Sequence, residues 1–474
     1  MNKSLHLHPD RLFPADNSTR SIARSLYQGV KNLPIVSPHG HTDPSWFAEN
    51  EHFQNAHALF IAPDHYLLRM LYSQGISLAD LGIATKQGEP VAAPRSAWKL
   101  FARHFFLFRG TPTGLWLNHV FSEVFGIDQL LDESTADFYY DAIDNALRSE
   151  AFRPRALYDQ FNIEFLSTTE GPTDSLTHHE NIRDSDWGGR VVTTYRPDPV
   201  VDPEHSSFHS ALSSFGELTG EDVLSWQGYL LAHRKRRADF IAVGATATDH
   251  GHPSAATANL SQAECAALFA KIQKPGVTPA NAELFRAQML TEMARMSLDD
   301  GLVMQIHPGS FRNHNDWLFN NYGRDRGADL PCRVEYTRAL KPLLDCFGNE
   351  SVLSIILFTL DESNYSRELA PLAGHYPCLK LGPAWWFHDS PEAMMRYREQ
   401  TTETAGFYNT VGFNDDTRAF LSIPARHDVA RRVDCAYLAR LVAEHRLAEE
   451  EAHVIATELS YKLPKQAYRL DDKL

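Results

Sequence analysis

Short apolar runs rich in Val, Ile, Leu and Thr recur along the chain, each closing in a polar or His-bearing turn and each followed by a stretch long enough for a helix. Eight are seen, at 33–37, 164–169, 190–194, 240–246, 302–306, 352–359, 378–381 and 409–413. The run at 352–359, VLSIILFT, is apolar at successive positions, as a parallel strand covered on both faces requires. Repeated strand–helix units predict an α/β fold with a parallel sheet, and eight of them predict a (β/α)8 TIM-type barrel.

A plain barrel takes about 250 residues, whereas this chain has 474. Most of the excess falls between the first two predicted strands, where the pattern changes period. Trp98, Phe101, Phe105 and Phe108 recur at spacings of three and four, one buried face of a helix, and 66–72 and 115–125 read the same way. The expected organisation is an N-terminal segment with the first strand at 1–48, a large helical insertion after strand 1 at 49–160, the rest of the barrel at 161–424 and a C-terminal helical segment at 425–474. The stretch 426–462 is charged and amphipathic and is expected to pack outside the barrel.

Composition narrows the class of partner. Acidic groups outnumber basic ones by 60 to 45, a net charge of −15, so the surface repels phosphate backbones and anionic lipid, and nucleic acid is not expected as a partner. The five cysteines are odd in number and form no C-x-x-C pair, which fits neither a disulfide framework nor a thiolate zinc site. No stretch approaches the roughly 18 apolar residues of a membrane helix, and the N-terminus carries no apolar targeting core. A cytoplasmic location is expected. Barrels of this size often assemble through outer helices, so a homo-oligomer is compatible with the sequence, but no contact face is evident.

Barrel enzymes place their chemistry where strands end, and here nearly every strand ends in ionisable groups. The first gives His39-Gly40-His41, the second Thr169-Glu170, the third Tyr195-Arg196-Pro197-Asp198 and the fourth Asp249-His250. The fifth gives His307 followed by Arg312 and Asn313, the sixth Asp361-Glu362, the seventh Trp385-Trp386 and the eighth Asp415-Asp416-Thr417-Arg418. The strand period of two puts His39 and His41 on one face, and two neutral imidazoles so placed suit zinc or a similar divalent metal. Closure of the last strand on the first makes Asp416 the candidate third ligand, with Arg418 a fixed cation beside it. His307 and His250 are open to use as further ligands, proton carriers or hydrogen-bond donors. Arg196 and Arg312 are the candidate carboxylate clamps, because guanidinium grips carboxylates bidentately.

Walker A, G-x-G-x-x-G, G-x-S-x-G and H-E-x-x-H motifs are all absent, which lowers nucleotide and serine-hydrolase readings. An H-x-H closing strand one, a His closing strand five and an Asp closing strand eight resemble the amidohydrolase superfamily. Within it, the chain resembles the uronate isomerase (glucuronate isomerase) family. The matching stretches are Pro38-His39-Gly40-His41, Asp64-His65-Tyr66 with Arg69, 168–179, Tyr195-Arg196-Pro197-Asp198, Ile306-His307 with Arg312-Asn313, Trp385-Trp386-Phe387, and Asp416-Thr417-Arg418 with Phe420. Three features depart from the family pattern: Gly171, Tyr195 and the strand-six ending Thr359-Leu360-Asp361-Glu362.

The resemblance implies aldose–ketose isomerisation of small hexuronates, D-glucuronate to D-fructuronate and D-galacturonate to D-tagaturonate, through a cis-enediolate. It implies a divalent metal, zinc by ligand type, on His39, His41 and Asp416, with Arg418 as a second electrophile. Asp416 or the phenolate of Tyr66 would move the proton, the latter only if neighbouring charge lowers its pKa from about 10. His65, Arg196, His307 and Arg312 would bind substrate. The alternative is a metal-dependent hydrolase of an amide, lactone or ester within the same superfamily, although the Lys on strand four and His on strand six that binuclear hydrolases often use are missing.

Overall fold

A computed structural model of the chain describes residues 4–89 and 91–470. Strands β1 (Ile35–Ser37), β2 (Ile163–Ser167) and β3 (Val191–Val192) pair in parallel in that order. A second parallel sheet contains β4 (Ala247–His250) and β5 (Val303–Ile306). After a small antiparallel pair, β6 (Ser310–Phe311) and β7 (Leu330–Pro331), that sheet is completed by β8 (Ile355–Leu357) and β9 (Leu379–Leu381), in the order β4-β5-β8-β9. The fold is therefore α/β with parallel sheets. Single-residue parallel bridges link Glu170 to Tyr195 and Tyr195 to Thr248, so the edge of the first sheet meets the edge of the second. At the other end Leu381 bridges Thr410, and the His41 N–H donates to the Thr417 carbonyl at 3.0 Å.

Strands β1, β4, β5 and β8 are buried along their whole length, as parallel strands covered by helices must be. One apolar cluster takes a side chain from successive strands: Val36, Phe165, Val192, Ala247, Val303 and Ile356, together with Val411. Tyr468 and Leu470, from the last described residues, insert into the same cluster.

Two predicted strands differ. The run at 240–246 ends a helix, Trp226–Ala242, and turns at Gly244, whose φ is +96°. The strand is the following ATDH, whose polar residues mask it. An apolar run without a period is equally a buried helix end, and here the helix prevails. The segment 409–413 forms no named strand, although Leu381 N–H donates to Asn409 O at 2.8 Å and Val411 N–H to Leu381 O at 3.0 Å. The predicted outer C-terminal helix is also different in burial. Ile423–Ala443 is almost entirely enclosed, with Arg426, Arg431, Arg432 and Asp434 among its buried residues, because Asn17–Val30 covers it.

Helices fill the chain between β1 and β2. They include His65–Tyr72, Pro94–His104, Pro112–His119 and Ala136–Leu147. Trp98, Phe101 and Phe108 are buried in one cluster as their spacing predicts, the last in a 3₁₀ turn. The Asp64 carboxylate caps His65–Tyr72 by accepting from the Tyr66 and Leu67 N–H groups at 2.8 and 3.1 Å, which fixes the first turn and so the directions of His65 and Tyr66.

Candidate active site

A cavity of about 900 Å³ opens where the strands end, lined by His39, His41, Arg196, Asp249, His307 and Asp416 among others. Gly40 lies at its floor, where the end of β1 comes so near the 415–417 segment that a Cβ would already be in van der Waals contact with the Thr417 carbonyl at 3.4 Å and the Ser167 carbonyl at 3.5 Å. The approach brings the His41 Nε2 to 3.1 Å and the His39 Nε2 to 3.6 Å from Asp416 Oδ1. Residues almost a whole chain apart thus share one point, as strand closure predicts.

His307 joins them. Its ring stacks on Phe358 at 3.8 Å and on His39 at 4.9 Å, and its Nδ1 lies 2.7 Å from Asp249 Oδ1. Since that carboxylate can only accept, Nδ1 carries the hydrogen, and in the neutral imidazole Nε2 is bare. Nε2 is buried without a partner and faces Asp416 Oδ2 at 3.9 Å. Two acceptors facing each other out of water are costly unless a cation lies between them. Ligand atoms of His39, His307 and Asp416 lie within 4.8 Å of one another, a set suited to a divalent metal. The sequence places His41 in that set and His307 on the substrate. The geometry puts His307 in the set and leaves His41 beside it, on the same oxygen of Asp416 as His39.

The protonation states fit cation binding. Burial pushes His39 down to about 4, so its imidazole is neutral. Burial acts to raise Asp416, but the adjoining His39 and the hydrogen bond from His41 outweigh it and hold the carboxyl far below its usual range. Asp249 is likewise buried and likewise held low, chiefly by Arg196 and then by His307. Arg196 donates from Nη1 to Asp249 and from Nε to Asp198, each at 2.8 Å. Asp249 is legible in the sequence only as a strand-end residue; its partnership with Arg196 and His307 needs the three-dimensional register of β4 against β5.

Gly251 makes room for that guanidinium, because a Cβ there would sit 2.2 Å from Arg196 Nη2 and 2.8 Å from Asp198 Oδ2. Gly251→Ala is expected to lower stability by about 1–3 kcal/mol through overpacking and to reduce turnover by displacing Asp249. An unchanged thermal melt and unchanged turnover would show that the guanidinium has somewhere else to go.

The remaining predicted residues form the wall opposite. His65 is buried and pushed down to about 3 by burial and then by Arg418, and its Nε2 has no partner. The Tyr66 hydroxyl donates to the Trp386 carbonyl at 3.3 Å. Burial drives its phenol well above 10, with Arg426 pulling the other way without prevailing, so Tyr66 holds its proton and is a donor. The lowered pKa that a phenolate base needs is absent. Arg312 lies over the Trp386 ring at 5.1 Å and pairs with Asp329 at 2.9 Å, while Arg418 pairs with Asp325 at 3.2 Å. Asp325 and Asp329 escape a reading of the sequence, because a loop carboxylate carries no periodic signal. His250 is turned away, its Nε2 3.0 Å from Thr248 Oγ1, and does not line the cavity. Asn313, Asp325, Trp386 and Asp416 all line the cavity with positive φ, a concentration of strained backbone found at functional sites.

Converging imidazoles and carboxylates at the ends of parallel strands, ringed by arginines, define an α/β enzyme whose cavity suits a divalent metal and an anionic small molecule. The profile of the glucuronate isomerase family matches residues 15–468. A uronate isomerase of Phenylobacterium zucineum is 69% identical over 472 residues, spanning 100% of this chain and 98% of that protein. The crystal structure of glucuronate isomerase from Caulobacter crescentus superposes with a TM-score of 0.99 at 66% identity, covering 100% and 98% of the two chains. Uronate isomerase from Thermotoga maritima superposes with a TM-score of 0.91 at 26% identity, covering 98% and 99%. The chain belongs to the glucuronate isomerase family. It is accordingly an isomerase that interconverts aldose and ketose hexuronates, and the hydrolase alternative is not favoured.

Proposed function

We propose that His39, His41 and Asp416, together with His307, hold a divalent ion, zinc by ligand type, and that Asp416, Arg418 and Tyr66 carry the isomerisation. The observation that carries this reading is the pair of facing acceptors, His307 Nε2 and Asp416 Oδ2, buried 3.9 Å apart. A divalent cation bound there would act as a Lewis acid and offset negative charge developing on the sugar oxygens. The chain's own residues do the rest. The C2 proton of the open-chain aldose moves to C1 through a cis-enediolate, while the O2 proton is lost and O1 gains one, so no oxidant or reductant is consumed. Asp416, ionised, is the acceptor of choice for the carbon-bound proton. Tyr66, which keeps its proton, donates a hydrogen bond to an oxygen that gains charge. Arg418 adds a fixed cation, and His65, Arg196, His307 and Arg312 orient the carboxylate and hydroxyls. Arg196 is already shared between Asp198 and Asp249, so its part in binding is through the cavity-facing side of the guanidinium.

The test is to incubate zinc-replete protein with D-glucuronate and, separately, D-galacturonate and follow ketose formation. Turnover is expected with both acids, is expected to stop on chelation and return on metal addition, and is expected to be lost in His39→Asn. Full activity after demonstrated metal removal would overturn the metal assignment.

The same reading takes the parallel strands and the 409–413 segment as one closed (β/α)8 barrel, with 1–48 as an N-terminal segment and first strand, 49–160 as a helical insertion, 161–424 as the rest of the barrel and 425–474 as a C-terminal helical segment, of which residues 1–3, 90 and 471–474 lie outside those described. The bridges that join the two sheets, and the apolar cluster drawn from successive strands, support closure. None of the five cysteines is disulfide-bonded, which favours a cytoplasmic location, and the charge of −15 argues against nucleic acid. Among the described residues no helix is long and apolar enough to cross a membrane.

A further inference from the structure

A chain of polar side chains runs from His39 away from the cavity and into the apolar interior. His39 Nδ1 lies 3.3 Å from the Gln305 side-chain amide, the other end of that amide lies 2.7 Å from the Tyr468 hydroxyl, and the hydroxyl lies 3.1 Å from the Asn414 amide. Gln305 and Tyr468 are fully buried, and His39 and Asn414 are nearly so. Tyr468 reaches this point from the far end of the sequence, in a segment tied down where the Leu470 carbonyl accepts from Arg190 at 3.3 Å and Arg469 donates to the Gly301 carbonyl at 2.8 Å. Burying a glutamine and a tyrosine hydroxyl among Val36, Val303 and Ile356 is costly. Apolar residues of the same size would fill the space without that cost, so the chain calls for a reason.

The tautomer of His39 supplies one. In one orientation of the two amides, Gln305 Nε2 donates to His39 Nδ1, Tyr468 donates to Gln305 Oε1, and Asn414 Oδ1 is left buried without a partner. An imidazole that accepts at Nδ1 carries its hydrogen on Nε2 and cannot ligate through that atom. Turning both amides over reverses the direction. His39 Nδ1–H then donates to the Gln305 carbonyl, Gln305 donates to the Tyr468 oxygen, and Tyr468 donates to Asn414 Oδ1, while the Asn414 NH2 takes the place that has no partner. The reversal gives up one long contact, 3.4 Å, from Gln305 to the Thr248 carbonyl and sets the Gln305 oxygen against that carbonyl, so hydrogen-bond count alone does not favour it and the ligating role of His39 must. It leaves His39 Nε2 bare and aimed at Asp416.

We infer that Gln305 and Tyr468 are positioning residues for the metal site, holding His39 as the Nδ1–H tautomer that presents Nε2 to the ion. The inference rests on His39 being a metal ligand. The outer partner of a ligating histidine fixes its ring and tautomer, and losing such a partner typically costs 10- to 100-fold in metal affinity.

The experiment measures Zn²⁺ affinity by competition with a chromophoric chelator in the full-length protein, with Gln305→Leu, Gln305→Glu, Tyr468→Phe and His39→Asn side by side. Gln305→Leu is expected to bind Zn²⁺ at least tenfold more weakly, and Tyr468→Phe, which removes one oxygen and keeps the ring in place, about threefold or more. Gln305→Glu can only accept, so it enforces the ligating tautomer and is expected to bind within threefold of the parent or more tightly. A role confined to packing would not separate Leu from Glu in that order. Zn²⁺ binding by Gln305→Leu equal to the parent overturns the inference while leaving the metal site standing, and so does weak binding by Gln305→Glu. If Gln305→Leu does not fold, parent-like binding by Tyr468→Phe is the overturning result. Parent-like binding by His39→Asn overturns the metal reading itself, and this inference with it.

Discussion

Asp416→Asn is expected to lower kcat/KM for hexuronates by a factor on the order of 10² to 10⁴, the span attributed to a proton-transferring group, and to lower the melt of the metal-free protein at neutral pH. The two halves have a common origin. The Asp416 side chain is buried and its carboxyl is held far below its usual range, so its charge stabilises the folded state at neutral pH, while its φ of +38° lies where asparagine is equally comfortable. Asparagine keeps an oxygen for His41 but surrenders the negative charge that a cation and a migrating proton both need. A melting curve and a ketose assay on one preparation decide the matter. Activity within tenfold of the parent would remove Asp416 from the chemistry, and an unchanged melt would show that its charge does not stabilise the fold.

Arg196→Met is expected to be the most destabilising single change at the site, by about 3–5 kcal/mol, the cost of leaving buried charge without its partner. Asp249 and Asp198 both lean on this guanidinium, and Asp249 in turn holds the His307 hydrogen. KM for hexuronates should rise and turnover fall together, since both the cavity's positive charge and the setting of His307 depend on it. Adding Asp249→Asn to Arg196→Met removes one stranded charge, so the double variant should regain part of the lost stability. A double variant that is less stable than Arg196→Met by the full effect of Asp249→Asn alone would show that the two residues act independently.

The parts of the site legible in the sequence are those governed by short-range rules. The period of a strand puts His39 and His41 on one side, and the strand-end rule by itself points to His307, Arg196 and Asp416. What escapes is set by pairing between distant strands. Asp249 gains its meaning from the register that places β4 beside β5, and Asp325 and Asp329 come from a loop with no period. The fourth strand follows the run that predicts it for a related reason: FIAVGAT is the more apolar stretch, whereas the true strand, ATDH, is polar because it carries the site. Gln305 does leave a trace, a lone amide in the apolar run Val303–Ile306, but a sequence cannot say whether such a residue faces a ligand, another strand or the end of the chain.

The proposed ligands lie far apart in sequence, with His39 following β1 and Asp416 following the 409–413 segment, and Tyr468 arrives later still. A ribosome-bound chain that has released its first strands therefore holds one side of the site without the other. Under the proposed metal assignment, a complete ligand set forms only once the 415–418 segment has been synthesised and has docked against the end of β1.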